Sequence, residues 1–198
     1  MKIIGKNSLS QYISYLLFVL FTIIAFNLVY EIIGHGILFY KYKTGSTILS
    51  DTFVLANDVG WSKNKWTIPM ENLLKFKINY PFSEIQMVTG IYAPNQIIHN
   101  ILGMIFLSLF FFFSYRCFKE MSADQIFNQN AIKWLKRFCF LNLIIGAAGI
   151  FEFFYFKMNS VYTLLTYFFF AFFGIIILFI VEFFKKGLAL QIENDLTI

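Results

Sequence analysis

Ionisable side chains are rare in the long apolar stretches of this sequence, and four of them could share one site. Glu31 and His35 are four residues apart, so a helix would place both on one face. His99 opens a later apolar stretch, and Glu152 lies inside a third. Two imidazoles and two carboxylates could bind a divalent metal such as zinc, or hold a proton relay whose charge changes near neutral pH.

A purely structural role explains the same four residues. Polar side chains collect at the ends of membrane helices and hydrogen-bond between them. Gly34 and Gly36 could also end the first helix before His35, and the two histidines lack a metal-binding spacing such as H-E-x-x-H. The sequence therefore favours interface anchoring and helix packing over a metal or proton site. Glu152, which is surrounded by phenylalanines, has the strongest need of a partner inside the bundle.

Four apolar stretches would position these residues, and each is about as long as the roughly 20 residues that carry a helix across a bilayer. The composition agrees, because 59% of the residues are hydrophobic and only 14% are charged, against about 25% charged in soluble domains. The first stretch is too long for a cleaved signal peptide, so we expect it to be retained. The sequence predicts an all-α membrane protein, a four-helix bundle with spans at about 12–33, 97–118, 134–157 and 161–184.

Residues 36–96 form the one sizeable segment outside the predicted spans. Leu74 to Tyr80 alternates apolar and polar residues, which is typical of a half-buried strand. Residues 47–55 are rich in β-branched and aromatic side chains, and turn-forming residues flank them. We therefore expect a small, partly β extracytoplasmic domain between helices 1 and 2, which leans on the ends of the helices.

The connection between the second and third spans carries a helix-start pattern. Ser122 followed by Gln125 matches a capping box, so a helix should start there and lie along the membrane surface before the third span. Cys117 and Cys139 lie near the inner ends of these spans, where we expect reduced thiols rather than a disulfide. Asn142 and Gly146 predict close packing of the helices, in which the Asn142 amide hydrogen-bonds across the helix interface.

Basic residues predict the orientation. They flank the spans on one side and almost avoid the short turn between spans three and four, which has only Lys157. Both termini should therefore lie in the cytoplasm. The net charge of +5 is explained by anionic lipid, without a direct contact to nucleic acid. The basic residues on the inner side are Lys2, Lys6, Arg116, Lys119, Lys133, Lys136, Arg137, Lys185 and Lys186.

The end of the chain carries a family resemblance. Residues 183–198 read F-F-K-K-G-L-A-L-Q-I-E-N-D-L-T-I. This resembles the ending of the bacterial membrane family catalogued as domain of unknown function 2975, whose members close with a phenylalanine, a glycine, a Leu-Gln pair and an acidic Asp-Leu-Thr-hydrophobic stretch. Residues 127–141 are similar to a second landmark of the family. They depart from it because Gln125 and Ile126 stand where a proline often precedes Phe127.

The resemblance implies no catalytic residues and no cofactor. Family members are often encoded beside a small helix-turn-helix regulator, which implies a membrane partner for a transcription factor. The cytoplasmic tail, residues 185–198, would provide the contact, because an acidic patch complements a basic DNA-binding surface. Alternatively, the tail simply docks on the bundle. The candidate partner-binding residues are Gln191, Glu193, Asn194 and Asp195, beyond a predicted helix stop at Gly187.

Three classes of function remain open on the sequence. We expect a regulatory or signalling membrane protein rather than an enzyme, acting with a cytoplasmic regulator. A metal- or proton-linked transporter or membrane enzyme would instead use Glu31, His35, His99 and Glu152. A structural or assembly factor would bind only lipid, other spans or a second copy of itself.

Overall fold

The computed structural model describes residues 2–155 and 161–196, without the side chains of Glu152 and Tyr155. Four helices in these residues are long and apolar enough to cross a membrane. A three-stranded sheet lies between the first two. This confirms the predicted helical membrane architecture with a partly β segment. The helices are α1 (Leu9–Thr44), α2 (Pro94–Met121), α3 (Gln129–Tyr155) and α4 (Val161–Leu196), and the strands are β1 (Phe53–Ala56), β2 (Lys75–Asn79) and β3 (Gln86–Ile91).

The chain divides into two compact units. The sheet unit is Thr22–Ser108, and the helix unit combines Met1–Phe21 with Leu109–Ile198. α1 and α2 contribute residues to both units. At 1.5 Å per residue, α1 is about 54 Å long, whereas the hydrocarbon core of a bilayer is about 30 Å thick. α1 therefore extends well beyond the predicted span, and the first residues of the predicted loop segment 36–96 are helical.

The sheet unit is built on the C-terminal half of α1. β2 lies between β1 and β3, and both pairings are antiparallel. Phe53, Phe76 and Ile78 pack with Leu38 of α1 to form its buried core. A Cβ added at Gly34 would lie 2.8 Å from Ile78 and 2.9 Å from Phe53. Gly34 thus gives the sheet its close approach to α1, and the expectation that it could end the helix is wrong.

β2 is covered on both of its faces. Phe76 and Ile78 are buried against α1, as the alternating pattern predicts, but Lys75 and Asn79 are buried as well. The Lys75 ammonium donates hydrogen bonds to the carbonyl oxygens of Asn57 at 2.5 Å and Glu71 at 3.0 Å. The strand tolerates this buried cation because loop carbonyl groups satisfy it.

The helix unit has close contact between α3 and α4. A Cβ on Gly146 would lie 2.7 Å from the backbone nitrogen of Ala171, so the two backbones touch at this point. The Cys139 thiol lies 3.3 Å from the carbonyl oxygen of Gly174. The prediction that small residues pack these helices is confirmed. Asn142 is fully buried, and its amide donates to the carbonyl oxygen of Phe138 in its own helix at 2.7 Å. Among the described residues, the predicted bond across the interface is not formed.

The helix start predicted at Ser122 is wrong. The Ser122 hydroxyl donates to the carbonyl oxygen of Lys119 at 2.7 Å and so closes the end of α2. α3 begins seven residues later, at Gln129. Asn128 caps it, because its side-chain oxygen accepts the N–H of Ala131 at 2.8 Å. Asparagine is among the best N-cap residues, whereas Ser122 is already used by the preceding helix.

Candidate functional site

The first candidate site is the buried pair Glu31 and His35 in the sheet unit. Because α1 continues through both residues, they lie on one face of the helix. The Glu31 carboxylate oxygen Oε1 lies 3.5 Å from His35 Nε2, and both side chains are buried. The imidazole ring stands edge-on to Phe76, with 4.8 Å between ring centroids. The sheet therefore covers a titratable pair and removes it from bulk solvent.

This pair is short of hydrogen bonds. Glu31 Oε1 and both ring nitrogens of His35 have no hydrogen-bond partner among the residues that the structure describes. A buried carboxylate needs a cation, a proton or several donors to offset its lost hydration. The interaction between Glu31 and His35 offsets only part of this lost hydration. The pair is therefore a candidate site for a small polar ligand that could supply the missing hydrogen bonds.

A cavity of about 560 Å³ lies beside Glu31. His99 and Asn100 of α2 line it, so the structure brings Glu31 and one predicted histidine of the second span to the same cavity. Binding cavities for small ligands have volumes of about 300 to 1,000 Å³ and combine apolar walls with a few polar groups. This cavity fits that description. Its other walls are Asn27, Tyr80, Met87, Val88, Gly103, Met104 and Leu107.

The sequence interpretation missed Asn27 as a cavity residue. Asn27, Glu31 and His35 follow one another at four-residue intervals along α1. This spacing places all three on one face of a helix, and it could have identified the polar stripe from the sequence. Tyr80 and Gly103 could not have been found in this way, because only the folded sheet unit brings them to the cavity.

The described residues do not by themselves form the metal site that the sequence suggests. No group of three or more His, Cys, Asp or Glu side chains is placed to hold a metal ion in the part of the chain that the structure describes. The side chain of Glu152 lies outside the described residues. The proposed set of Glu31, His35, His99 and Glu152 therefore stays a prediction.

The second candidate site is the C-terminal tail, and here the predicted helix stop at Gly187 is wrong. α4 runs without a break to Leu196. A Cβ on Gly187 would lie 2.6 Å from the ring of Phe127, and the same ring packs against Phe184 with 5.4 Å between centroids. Gly187 is needed for this close approach rather than for a helix end. Phe127 thereby fixes the base of the tail to the helix unit.

The tail beyond this contact projects as an exposed helix. Gln191 is half-buried, whereas Glu193, Asn194 and Asp195 are exposed. Large apolar side chains lie among and beside them in the sequence, and 81% of the Leu196 surface is exposed. The predicted partner-binding residues are thus accessible, and they combine negative charge with apolar surface. The exposed apolar residues of this segment are Leu190, Ile192 and Leu196.

Comparison with known proteins gives one match. The model of a family described as a protein of unknown function (DUF2975) matches residues 61–198, which is well over half of the chain. The matched region contains β2, β3, α2, α3 and α4, and hence the whole tail. No curated protein matches the chain, and no solved structure does.

Proposed function

This chain belongs to the DUF2975 family of proteins of unknown function, and from that membership we propose that it is a regulatory membrane protein. In this proposal it lies in the bacterial inner membrane, with both termini in the cytoplasm and the sheet unit outside. The end of α4 binds a small cytoplasmic helix-turn-helix regulator. The observation that supports the proposal most is the exposed acidic helix at the end of α4.

The chemistry of the tail suits a basic protein partner. Glu193 and Asp195 provide two carboxylates, which attract and orient a DNA-binding surface rich in lysine and arginine. Leu190, Ile192 and Leu196 provide apolar area that such a partner can bury. Because the tail is already helical, binding does not have to order the segment, which lowers the entropic cost of association.

Charge reversal in the tail tests this function. We expect the variant Glu193→Lys/Asp195→Lys to bind a small helix-turn-helix regulator at least tenfold more weakly than the native chain does, since each substitution replaces an attraction with a repulsion. Affinity is measured with purified regulator and the full chain in lipid nanodiscs. The native affinity should also fall as salt is raised.

The control is Asp124→Lys, which reverses another exposed carboxylate outside the tail. Asp124 pairs with Lys6 at 2.6 Å, and both side chains are mainly exposed, so the fold should tolerate its replacement. Equal losses in the tail variant and in Asp124→Lys would indicate general electrostatics. Undiminished binding by the tail variant would overturn the proposal.

Topology is tested separately, since the tail can meet a cytoplasmic regulator only from inside the cell. A reporter fused after Ile198 should be active only in the cytoplasm, and a reporter within residues 62–64 only outside. Residues 62–64 suit an insertion because they lie in an exposed loop of the sheet unit. A C-terminal reporter that is active outside would contradict the proposal.

The pair Glu31 and His35 favours a second candidate function, proton- or metal-linked transport or catalysis. The two side chains are buried 3.5 Å apart, and Glu31 lines a cavity with His99. Metal analysis of the purified chain tests the metal form of this function. Stoichiometric zinc that is lost in Glu31→Gln would support it, and the absence of bound metal would leave only the proton-linked form.

A further inference from the structure

The sheet unit has one end that carries exposed apolar side chains. This end comprises the β2–β3 hairpin tip, residues 80–85, and the loop before β1, residues 48–52. We propose that this end, called here the hairpin end, inserts into the headgroup region of the bilayer beside α1. The sheet unit is then a membrane-bound cap rather than a domain surrounded by water, and the occupant of its apolar end is lipid. This inference does not depend on the proposed regulatory function.

Contacts along α1 show the direction of β2. The ring of Phe76 packs on His35, and Ile78 lies against Gly34. The Tyr30 hydroxyl then donates to the carbonyl oxygen of Asn79 at 3.0 Å. Successive residues of β2 therefore meet successively earlier residues of α1. β2 runs toward the apolar stretch that fills residues 12–30, and the hairpin tip continues in that direction.

The cavity contacts give the same position for the hairpin. Tyr80, the first residue of the tip, lines the cavity together with Asn27 and Glu31. Asn27 lies within the apolar stretch of α1, and the neighbouring Phe26 has 72% of its surface exposed. In a membrane protein, such an apolar helix surface contacts lipid. The hairpin tip consequently lies at the depth of a lipid-facing part of α1.

The hairpin end has the composition of a membrane interface. Phe82 is fully exposed, and Ile85 has 68% of its surface exposed. The loop before β1 adds Ile48 and Leu49, which are both more than half exposed. This loop lies at the same end of the sheet, because the Asn79 amide donates to the Asp51 carbonyl oxygen at 2.9 Å. Aromatic and aliphatic side chains of this kind anchor proteins at the level of the lipid headgroups.

Backbone strain supports an external partner for these side chains. Phe82 has a φ of +56° and Leu49 a φ of +49°, which is the left-handed region that bulky residues rarely adopt. Neither residue belongs to the buried core of the sheet unit. An exposed Phe in a strained turn contributes little to the fold, which favours a contact with lipid.

The polar residues of the same loops limit the depth of insertion. Glu84 is exposed in the hairpin, and Asp51 is exposed in the other loop. Carboxylates are costly in hydrocarbon but are tolerated among headgroups. Insertion is therefore shallow, within the roughly 5 to 10 Å that interfacial segments reach. Phe82 and Leu49 enter the lipid, while Glu84 and Asp51 stay in the hydrated layer.

Depth-dependent quenching of a fluorescent label tests the insertion. Phe82→Cys is labelled with an environment-sensitive fluorophore, and the full chain is placed in vesicles of phosphatidylglycerol and phosphatidylcholine. Lipids with a spin label near the headgroup are then added as quenchers. The unmodified chain shows the background, which should be small because Cys117 and Cys139 are buried. Ile68→Cys is the matched control, because Ile68 is 57% exposed and precedes β2 at the end away from the hairpin.

We expect the label at position 82 to be quenched at least twofold more strongly than the label at position 68. Leu49→Cys should behave like Phe82→Cys, since both loops lie at the hairpin end. Weak quenching at position 82 that equals the value at position 68 would overturn the proposal. Strong but equal quenching at both positions would also overturn it, because the whole sheet unit would then lie on lipid without a preferred end.

Discussion

Leucine in place of Gly146 should separate α3 from α4 and destabilise the helix unit. A Cβ at this position already lies 2.7 Å from the backbone nitrogen of Ala171, and backbone cannot move aside as a side chain can. Overpacking in a filled interior costs about 1 to 3 kcal/mol, and we expect the upper end because a whole leucine side chain must be accommodated. The measurement is the midpoint of unfolding of the purified chain in detergent, by heat or by titration with dodecyl sulfate.

Gly103→Leu is the matched control for this prediction. Gly103 also lies inside a predicted span, but a Cβ there would have nothing within 4 Å. Its replacement should leave the unfolding midpoint unchanged or raise it slightly, since leucine favours the helix over glycine by up to about 1 kcal/mol. If Gly146→Leu unfolds at the same midpoint as Gly103→Leu, the close contact of α3 and α4 is not a source of stability.

The helical architecture could be predicted because bilayer thickness makes span length a direct physical signal. The pattern of apolar residues could not give the ends of the helices. α1 continues past Gly34, and α4 continues past Gly187, where a glycine suggests a stop. Each glycine instead lies under an aromatic or aliphatic side chain from a distant part of the sequence. A glycine needed for close approach and a glycine that ends a helix look identical in one sequence.

The sheet unit shows a second limit. The alternation over Leu74 to Tyr80 predicted β2 and its buried residues Phe76 and Ile78 correctly. It did not predict the burial of Lys75, which depends on carbonyl groups contributed by a loop from another part of the chain. Likewise, Ser122 and Asn128 are both residue types that cap helix N-termini. Asn128 caps α3, because the Ser122 hydroxyl is already bonded to the end of α2.

The candidate site was predicted in part. The four-residue spacing of Glu31 and His35 was readable from the sequence, and it holds because α1 does not end between them. The presence of His99 at the same cavity depends on where α2 lies in the folded sheet unit, which spacing along the chain cannot give. The tail residues were identified by resemblance, and their exposure on a continuing helix is a property of the fold.

Replacement of His35 alone by leucine should strongly destabilise the sheet unit. Without the imidazole, the buried Glu31 carboxyl group loses the polar side chain whose Nε2 lies 3.5 Å from its Oε1. Removal of one partner from a buried ion pair costs about 3 to 5 kcal/mol, because the other charge is left uncompensated. The unfolding midpoint in detergent measures this loss. A His35→Leu variant as stable as the native chain would show that no buried ion pair exists at this site.

The double variant Glu31→Leu/His35→Leu separates stability from function. Replacement of a whole buried pair by apolar residues is often neutral or stabilising, so the double variant should recover most of the stability that His35→Leu loses. Such a recovery would mean that the fold does not require the pair. The pair, of which Glu31 lines the cavity, would then be better explained by what it binds or transfers than by stability. If the double variant remains as unstable as the single one, the pair is a structural element, and the proton- or metal-linked function loses its main support.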